Sequence, residues 1–398
     1  MPSYNKSSDL LIESPTRIIN RIAENMRKEG RDLIMFSAGE PGIPPPREIR
    51  EWLSQALKED STKLYSYGPS AGFLDLREAI VDDLRELGGL EIDSDQIVIT
   101  SGGQGAIFSS LTAVLEEGDE VILIDPTFFG YKNVITFNRA RIRYAPTSID
   151  RGFQPDVDLI NESIVRGRTK AIILVSPDNP TGRVIDWNIA RALVEIAVDN
   201  DIWIIYDEPY KTLVYEGEHI YLYKLAPENV ISLNAFSKDP GIPGWRLGYV
   251  YGPKSIIKRI SLISEISTYH PSTVAQYLVL RYLRDRDLRR RHIEFMRRVL
   301  MERRDVMVEE LSKIREARFL RPGGSMFVLL DLKERLRERN LESIQLAEKL
   351  LLEASVAVVP GEFFGESSRG SIRLSFATES LDRIREGVRR IREMLDRI

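Results

Sequence analysis

Short apolar runs interleaved with helix-length segments constrain this chain more than any other feature. Five of them are Ile97–Thr100, Val121–Ile124, Ala171–Val175, Ile202–Tyr206 and Val230–Leu233. Each is too short for a helix and rich in β-branched residues, so each reads as a buried strand. Ile107, Leu111 and Leu115 give helical spacing after the first run, and residues 187–200 do so after the third. Strands alternating with helices in this way predict an α/β architecture. In such folds the chemistry collects at the carboxyl ends of the strands. The residues just beyond each run therefore decide the function.

After Val230–Leu233 come Ser237 and Lys238, then the breakers Pro240, Gly241 and Pro243, and then Trp245-Arg246-Leu247-Gly248-Tyr249, which turns the chain back and brings Arg246 near Lys238. A lysine amine becomes a nucleophile toward carbonyl groups when burial or nearby positive charge lowers its pKa. An arginine beside it has a planar fork that matches phosphate oxygens. After Ile97–Thr100, Ser101-Gly102-Gly103-Gln104-Gly105 opens a helix. Glycines there let backbone N–H groups approach an anion at the positive end of the helix, forming a phosphate cradle. The remaining runs end in Asp125-Pro126-Thr127-Phe128, in Asp178-Asn179-Pro180-Thr181-Gly182 and in Asp207-Glu208-Pro209-Tyr210.

Ser237-Lys238 together with Gly244-Trp245-Arg246-Leu247-Gly248-Tyr249 resembles the lysine signature of the class I and II aminotransferases, the fold type I pyridoxal-phosphate enzymes. Asn179-Pro180-Thr181-Gly182, Asp207 with Tyr210, and Ser371-Ile372-Arg373-Leu374-Ser375-Phe376 fit further motifs of that family, in order, and the resemblance spans roughly residues 14–398. It implies a large domain with a mostly parallel seven-stranded sheet between helices, plus a smaller α/β domain. The expected division is an N-terminal segment over 1–45, a cofactor domain over 46–285 and a small domain over 286–398.

The resemblance also assigns roles. Pyridoxal 5'-phosphate would be bonded by Lys238, held at its pyridine nitrogen by Asp207, at its ring oxygen by Asn179 and Tyr210, and on its face by Phe128. Gly102, Gly103, Gln104, Ser237 and Arg246 would take its phosphate. Tyr67, in Tyr65-Ser66-Tyr67-Gly68, would reach the phosphate in a neighbouring subunit, so a homodimer with shared sites is implied. Arg373 would grip the substrate α-carboxylate, helped by Asn179 and by the backbone N–H of Gly39. The freed Lys238 amine would act as general base and acid at the substrate α-carbon, turning an L-amino acid into a 2-oxo acid.

Substrate choice is less determined. No arginine lies in Ser264–His270, where the aspartate-specific branch carries one, and Gln104 stands where another branch has a lysine. Ala235 replaces a phosphate-contacting serine. Arg17, in the N-terminal segment, is the candidate partner for a distal carboxylate. A mobile arginine there predicts use of acidic and aromatic donors, with 2-oxoglutarate as acceptor. Alternatives are a transaminase for neutral amino acids, a lyase on the same fold, and a cofactor-sensing regulator; the last needs a basic DNA-binding domain.

A net charge of −4 leaves no basic footprint for nucleic acid, and zero cysteines with three scattered histidines argue against a metal centre. No leader-like start and no membrane-length apolar run is visible, so a cytoplasmic location is expected.

Overall fold

The computed structural model describes residues 6–59 and 64–398. An early strand, β1 (Ile34–Met35), is followed by β2 (Ile97–Thr100), β3 (Glu120–Asp125), β4 (Arg141–Pro146), β5 (Thr169–Val175), β6 (Trp203–Asp207), β7 (Val230–Ala235) and β8 (Gly248–Tyr251). The last seven form one sheet in the order β2-β8-β7-β6-β5-β3-β4. Its pairs are parallel except the two that β8 makes. The reason is local. Residues 236–247 between β7 and β8 hold four breakers, Pro240, Gly241, Pro243 and Gly244, and no crossover helix, so the chain can only fold straight back.

Alternation along each strand fills both faces. Ile97, Ile99, Ile122, Ile124, Ile172, Leu174 and Ile204 pack on one side, and Val98, Val121, Leu123, Ala171, Ile173 and Ile205 on the other. Helices Leu74–Gly88, Gly102–Val114 and Trp187–Asp199 contribute to these two layers. With both faces buried, register is strongly specified. Val175 and Leu233 are therefore held as the neighbours of Asp207.

Beyond helix Arg286–Leu311 come β9 (Arg318–Phe319), β10 (Phe327–Asp331), β11 (Val356–Ala357), β12 (Val359–Pro360) and β13 (Ser371–Ser375). They give a four-stranded antiparallel sheet, β12-β13-β10-β9, while β11 pairs in parallel with β1. One apolar cluster joins Ile34, Phe36 and Ile43 to Met296, Leu330, Leu374 and Ile391, so the N-terminal segment packs with the C-terminal elements.

Two sequence expectations move here. A charged helix over roughly 287–316 stops instead at Leu311, and a strand expected from Gly323 starts only at Phe327. Gly323-Gly324 instead makes a close approach. The Gly323 N–H donates to the Gly182 carbonyl at 3.0 Å, and a Cβ on Gly324 would lie 2.6 Å from Pro177 Cγ. No described helix is long and apolar enough to cross a membrane.

Candidate active site

The strand order sets the carboxyl ends of β2, β7, β6, β5 and β3 around one cleft of about 320 Å³. Gly39, Gly103, Gln104, Phe128, Asn179, Asp207, Tyr210, Ser237, Lys238, Arg246 and Arg373 all line it. Residues up to 336 positions apart thus converge: the Arg373 Nη2 group donates to the Ser37 carbonyl at 2.9 Å, and its Nη1 donates to Asn179 Oδ1 at 3.0 Å. The Arg373 guanidinium also lies 4.2 Å from the centre of the Phe327 ring and 5.0 Å from that of Phe364. Burial lowers its pKa to about 10, which leaves it charged at neutral pH, and its Nε has no hydrogen-bond partner among the described residues.

Lys238 Nζ donates to the Gly39 carbonyl and sits 5.4 Å over the Tyr210 ring. Desolvation, reinforced by Arg373, lowers its pKa to about 8. Asp207 is 8% exposed, and burial raises its carboxyl to about 7 against the opposing hydrogen bond from the Tyr131 hydroxyl to Oδ2. Burial pushes the Tyr210 hydroxyl above its ordinary range, with Arg373 pulling the other way. A depressed amine and an elevated carboxyl in one cleft are groups brought near neutrality, the condition for proton transfer at neutral pH.

The anion cradle is shaped by backbone. Gly102 has φ +76 at the start of its helix, and a Cβ there would lie 2.6 Å from Arg246 Nη2. Arg246 itself is left-handed at φ 54 and donates from Nη1 to the Pro243 carbonyl at 2.9 Å. A side chain at position 102 would displace this guanidinium, so glycine is what lets an arginine and a helix N-terminus face one point.

The chain matches the family model described as aminotransferase class I and II over residues 31–391. It is 36% identical to the aspartate/prephenate aminotransferase of Thermus thermophilus, covering 96% of each chain. The chain belongs to the class I and II aminotransferases. It is 32% identical to the aspartate aminotransferase of Pyrococcus horikoshii, over 92% of this chain and 91% of that one. A solved structure of the Thermus thermophilus aspartate aminotransferase with maleate superposes with a TM-score of 0.93 at 34% identity, covering 99% and 100% of the two chains.

Two expected site residues, Tyr67 for a neighbouring subunit's site and Arg17 for this one, do not line this cleft. Tyr67 is 84% exposed, edge-on to Tyr269 and His270, in a separate cleft with Leu64, Tyr277 and Arg281. Arg17 is exposed on helix Pro15–Lys28, while its neighbours Ser14 and Thr16 line the Lys238 cleft. Gly102 lies beneath the cradle rather than on the cleft wall. Sequence reasoning assigns Tyr131 no role, yet it is the residue that holds Asp207. A signal for it exists: Phe128 and Tyr131 are three residues apart at a helix start, and their rings meet edge to face at 5.7 Å.

Proposed function

We propose that this aminotransferase is pyridoxal-phosphate-dependent and moves an amino group between an acidic or aromatic L-amino acid and a 2-oxo acid, with 2-oxoglutarate the expected acceptor. The observation that carries the reading is the meeting of a lowered-pKa lysine, a buried carboxylate and an arginine-lined anion cradle in one cleft. The residues fit the cofactor. Asp207 is a buried carboxylate with Oδ2 held by Tyr131, which leaves Oδ1 to take a pyridinium N–H. Gly102 leaves room for Arg246 at a phosphate.

Lys238 would bond the cofactor, Asn179 and Tyr210 would hold its ring oxygen, and Phe128 would cover its face. Ser237, Arg246 and the backbone of Gly102, Gly103 and Gln104 would take its phosphate. When bound, pyridoxal phosphate supplies an electron sink for the pair left on the substrate α-carbon. The chain's own groups do the rest. Arg373 holds the α-carboxylate and so decides which α-bond is aligned for cleavage. Lys238 Nζ takes the α-proton, and an amine with a pKa of about 8 is suited to take and return a proton near neutral pH.

The reading includes a homodimer with shared sites and a cytoplasmic location. The exposure of Tyr67, unexplained within one subunit, supports its reaching into a neighbour's site. Mixed dimers test this. With Tyr67→Phe and Lys238→Ala on opposite subunits, cofactor retention at the intact Lys238 should stay near wild type, and it should fall when one subunit carries both changes; the reverse order would place Tyr67 in its own subunit's site. Identical retention in the two arrangements would place Tyr67 outside any shared site. The division into 1–45, 46–285 and 286–398 goes with this reading; the apolar cluster that gathers most of the C-terminal elements also takes in Ile34 and Phe36 of the first segment and Tyr210, Leu213 and Tyr215 of the second.

Acidic donors are favoured because close relatives are named aspartate aminotransferases and one structure holds maleate, a dicarboxylate. Arg17 is the proposed partner of the distal carboxylate, reaching over the cleft that Ser14 and Thr16 already line. Arg17→Ala should lower kcat/KM for aspartate and glutamate by about 10- to 100-fold, or roughly 1.4 to 2.8 kcal/mol, and change aromatic donors far less. A panel of amino donors on both proteins is the test. Equal losses for both classes, or none, would remove Arg17 from substrate selection.

A further inference from the structure

Two residues that face the cleft are each followed directly by a buried charge that faces away from it. Tyr210 precedes Lys211, and Lys238 precedes Asp239. These two charges meet behind the site. Arg289 donates from Nη2 to Asp239 Oδ2 at 3.1 Å and from Nη1 to Asp83 Oδ1. Lys211 Nζ lies 3.8 Å from the other Asp83 oxygen. The second Asp239 oxygen accepts from the Tyr282 hydroxyl at 2.6 Å, and Lys211 Nζ donates to the Tyr249 hydroxyl at 2.7 Å. The four charged side chains are only 5 to 11% exposed.

Two cations and two carboxylates balance, so the cluster carries no net charge into the interior. A buried arrangement of this kind is a poor source of stability, because desolvation offsets most of the attraction. What it does supply is direction. The guanidinium fork spans carboxylates from helix Leu74–Gly88 and from the loop after β7, and is itself anchored in the first turns of helix Arg286–Leu311. The hydroxyl of Tyr282 adds a fourth element, helix Thr273–Arg284. The side chain of Asp239 is thereby fixed at both oxygens, and its backbone with it.

We infer that the Asp83–Lys211–Asp239–Arg289 cluster is a positioning device for the reaction, fixing the directions of Lys238 and Tyr210 from one peptide bond behind each. Arg289 is the keystone, because among the described residues it alone makes an ion pair with both carboxylates. The inference rests on the proposed roles of Lys238 and Tyr210. A displacement of the reacting amine by about 1 Å can cost on the order of 100-fold in rate without loss of substrate binding, and that is the signature to seek.

The test compares wild type with Arg289→Lys, which keeps the charge but cannot span both carboxylates, and with Tyr282→Phe, which removes one hydrogen bond and no charge. Both are purified and loaded with pyridoxal phosphate. Two readouts are taken: steady-state kcat and KM per mole of folded protein, and the pH midpoint for fixation of pyridoxal phosphate to Lys238 of the cofactor-free protein under borohydride. Lys238 faces Arg373, Glu40, Asp207 and Arg246, none of which is changed, so a moved midpoint reports a moved amine. Arg289→Lys should lose about 10- to 100-fold in kcat with KM changed less than about 3-fold and a shifted midpoint. Tyr282→Phe should show the same pattern more weakly. If Arg289→Lys does not fold, Tyr282→Phe alone decides. Wild-type kcat and midpoint in every variant that folds, whatever its melting temperature, would overturn the inference while leaving the function standing. A wild type that fixes no cofactor at Lys238 would instead overturn the function.

Discussion

Replacing Lys238 with alanine should abolish turnover, lowering kcat by at least ~10⁴-fold, while the fold survives. The loss combines the two roles proposed for one amine, covalent partner and proton carrier, and positioned proton transfer alone is worth about 10² to 10⁴. Folding should be spared because Lys238 lines an open cleft and belongs to none of the apolar clusters. Its charge is held there against desolvation and against Arg373, so its removal relieves a strain as well as deleting the hydrogen bond to Gly39. Pyridoxal phosphate should still bind through the cradle and Asp207. Steady-state assays, cofactor content and thermal unfolding check the three parts. A variant within 10-fold of wild type would remove Lys238 from the chemistry.

Asp207→Asn should have the next largest effect, and in opposite senses on activity and stability. A unit charge held about 4 Å from a developing charge at an effective dielectric near 20 is worth about 4 kcal/mol, so kcat should fall roughly 10³-fold. Stability of the cofactor-free protein should move the other way. Burial raises the Asp207 carboxyl to about 7, so the folded protein holds that proton more tightly than the unfolded chain does. This contribution is fully present below the unfolded carboxylate pKa and is lost as pH rises through about 7. Above that pH the wild type buries an ionised group that asparagine does not. The variant should therefore be the more stable of the two there, by no more than about 4 kcal/mol, with the difference shrinking as pH falls below about 7 and vanishing only below about pH 4. Melting temperatures of both cofactor-free proteins across that range test the sign. A variant less stable at high pH would mean that Asp207 is a structural carboxylate.

The parts of the site legible in the sequence are those carried by short-range pattern. Lys238, Asp207 and Asn179 end or follow apolar runs whose burial forces them to be strands, and Arg246 comes just before the next one, so the chain itself places them at strand ends. Whether they share one cleft depends on strand order, which the family resemblance supplies and periodicity does not. Arg17 shows the limit on a helix: positions 16 and 17 are about 100° apart, and no pattern says which faces the cleft. Thr16 does. Long-range polar partners are invisible for a further reason. Tyr131 is 76 residues from Asp207, and Arg289 is 50 from Asp239 and 206 from Asp83. Nothing local distinguishes a buried charge from a solvated one on a helix as charged as Arg286–Leu311.

Transamination is tested most directly by one half-reaction. Cofactor-loaded enzyme mixed with aspartate alone, without any oxo acid, should release one oxaloacetate per subunit and then stop, with the amino group retained on the protein until 2-oxoglutarate is added and glutamate appears. Continued product release without an acceptor, accompanied by free ammonia or carbon dioxide, would contradict transamination and assign a lyase to the same residues.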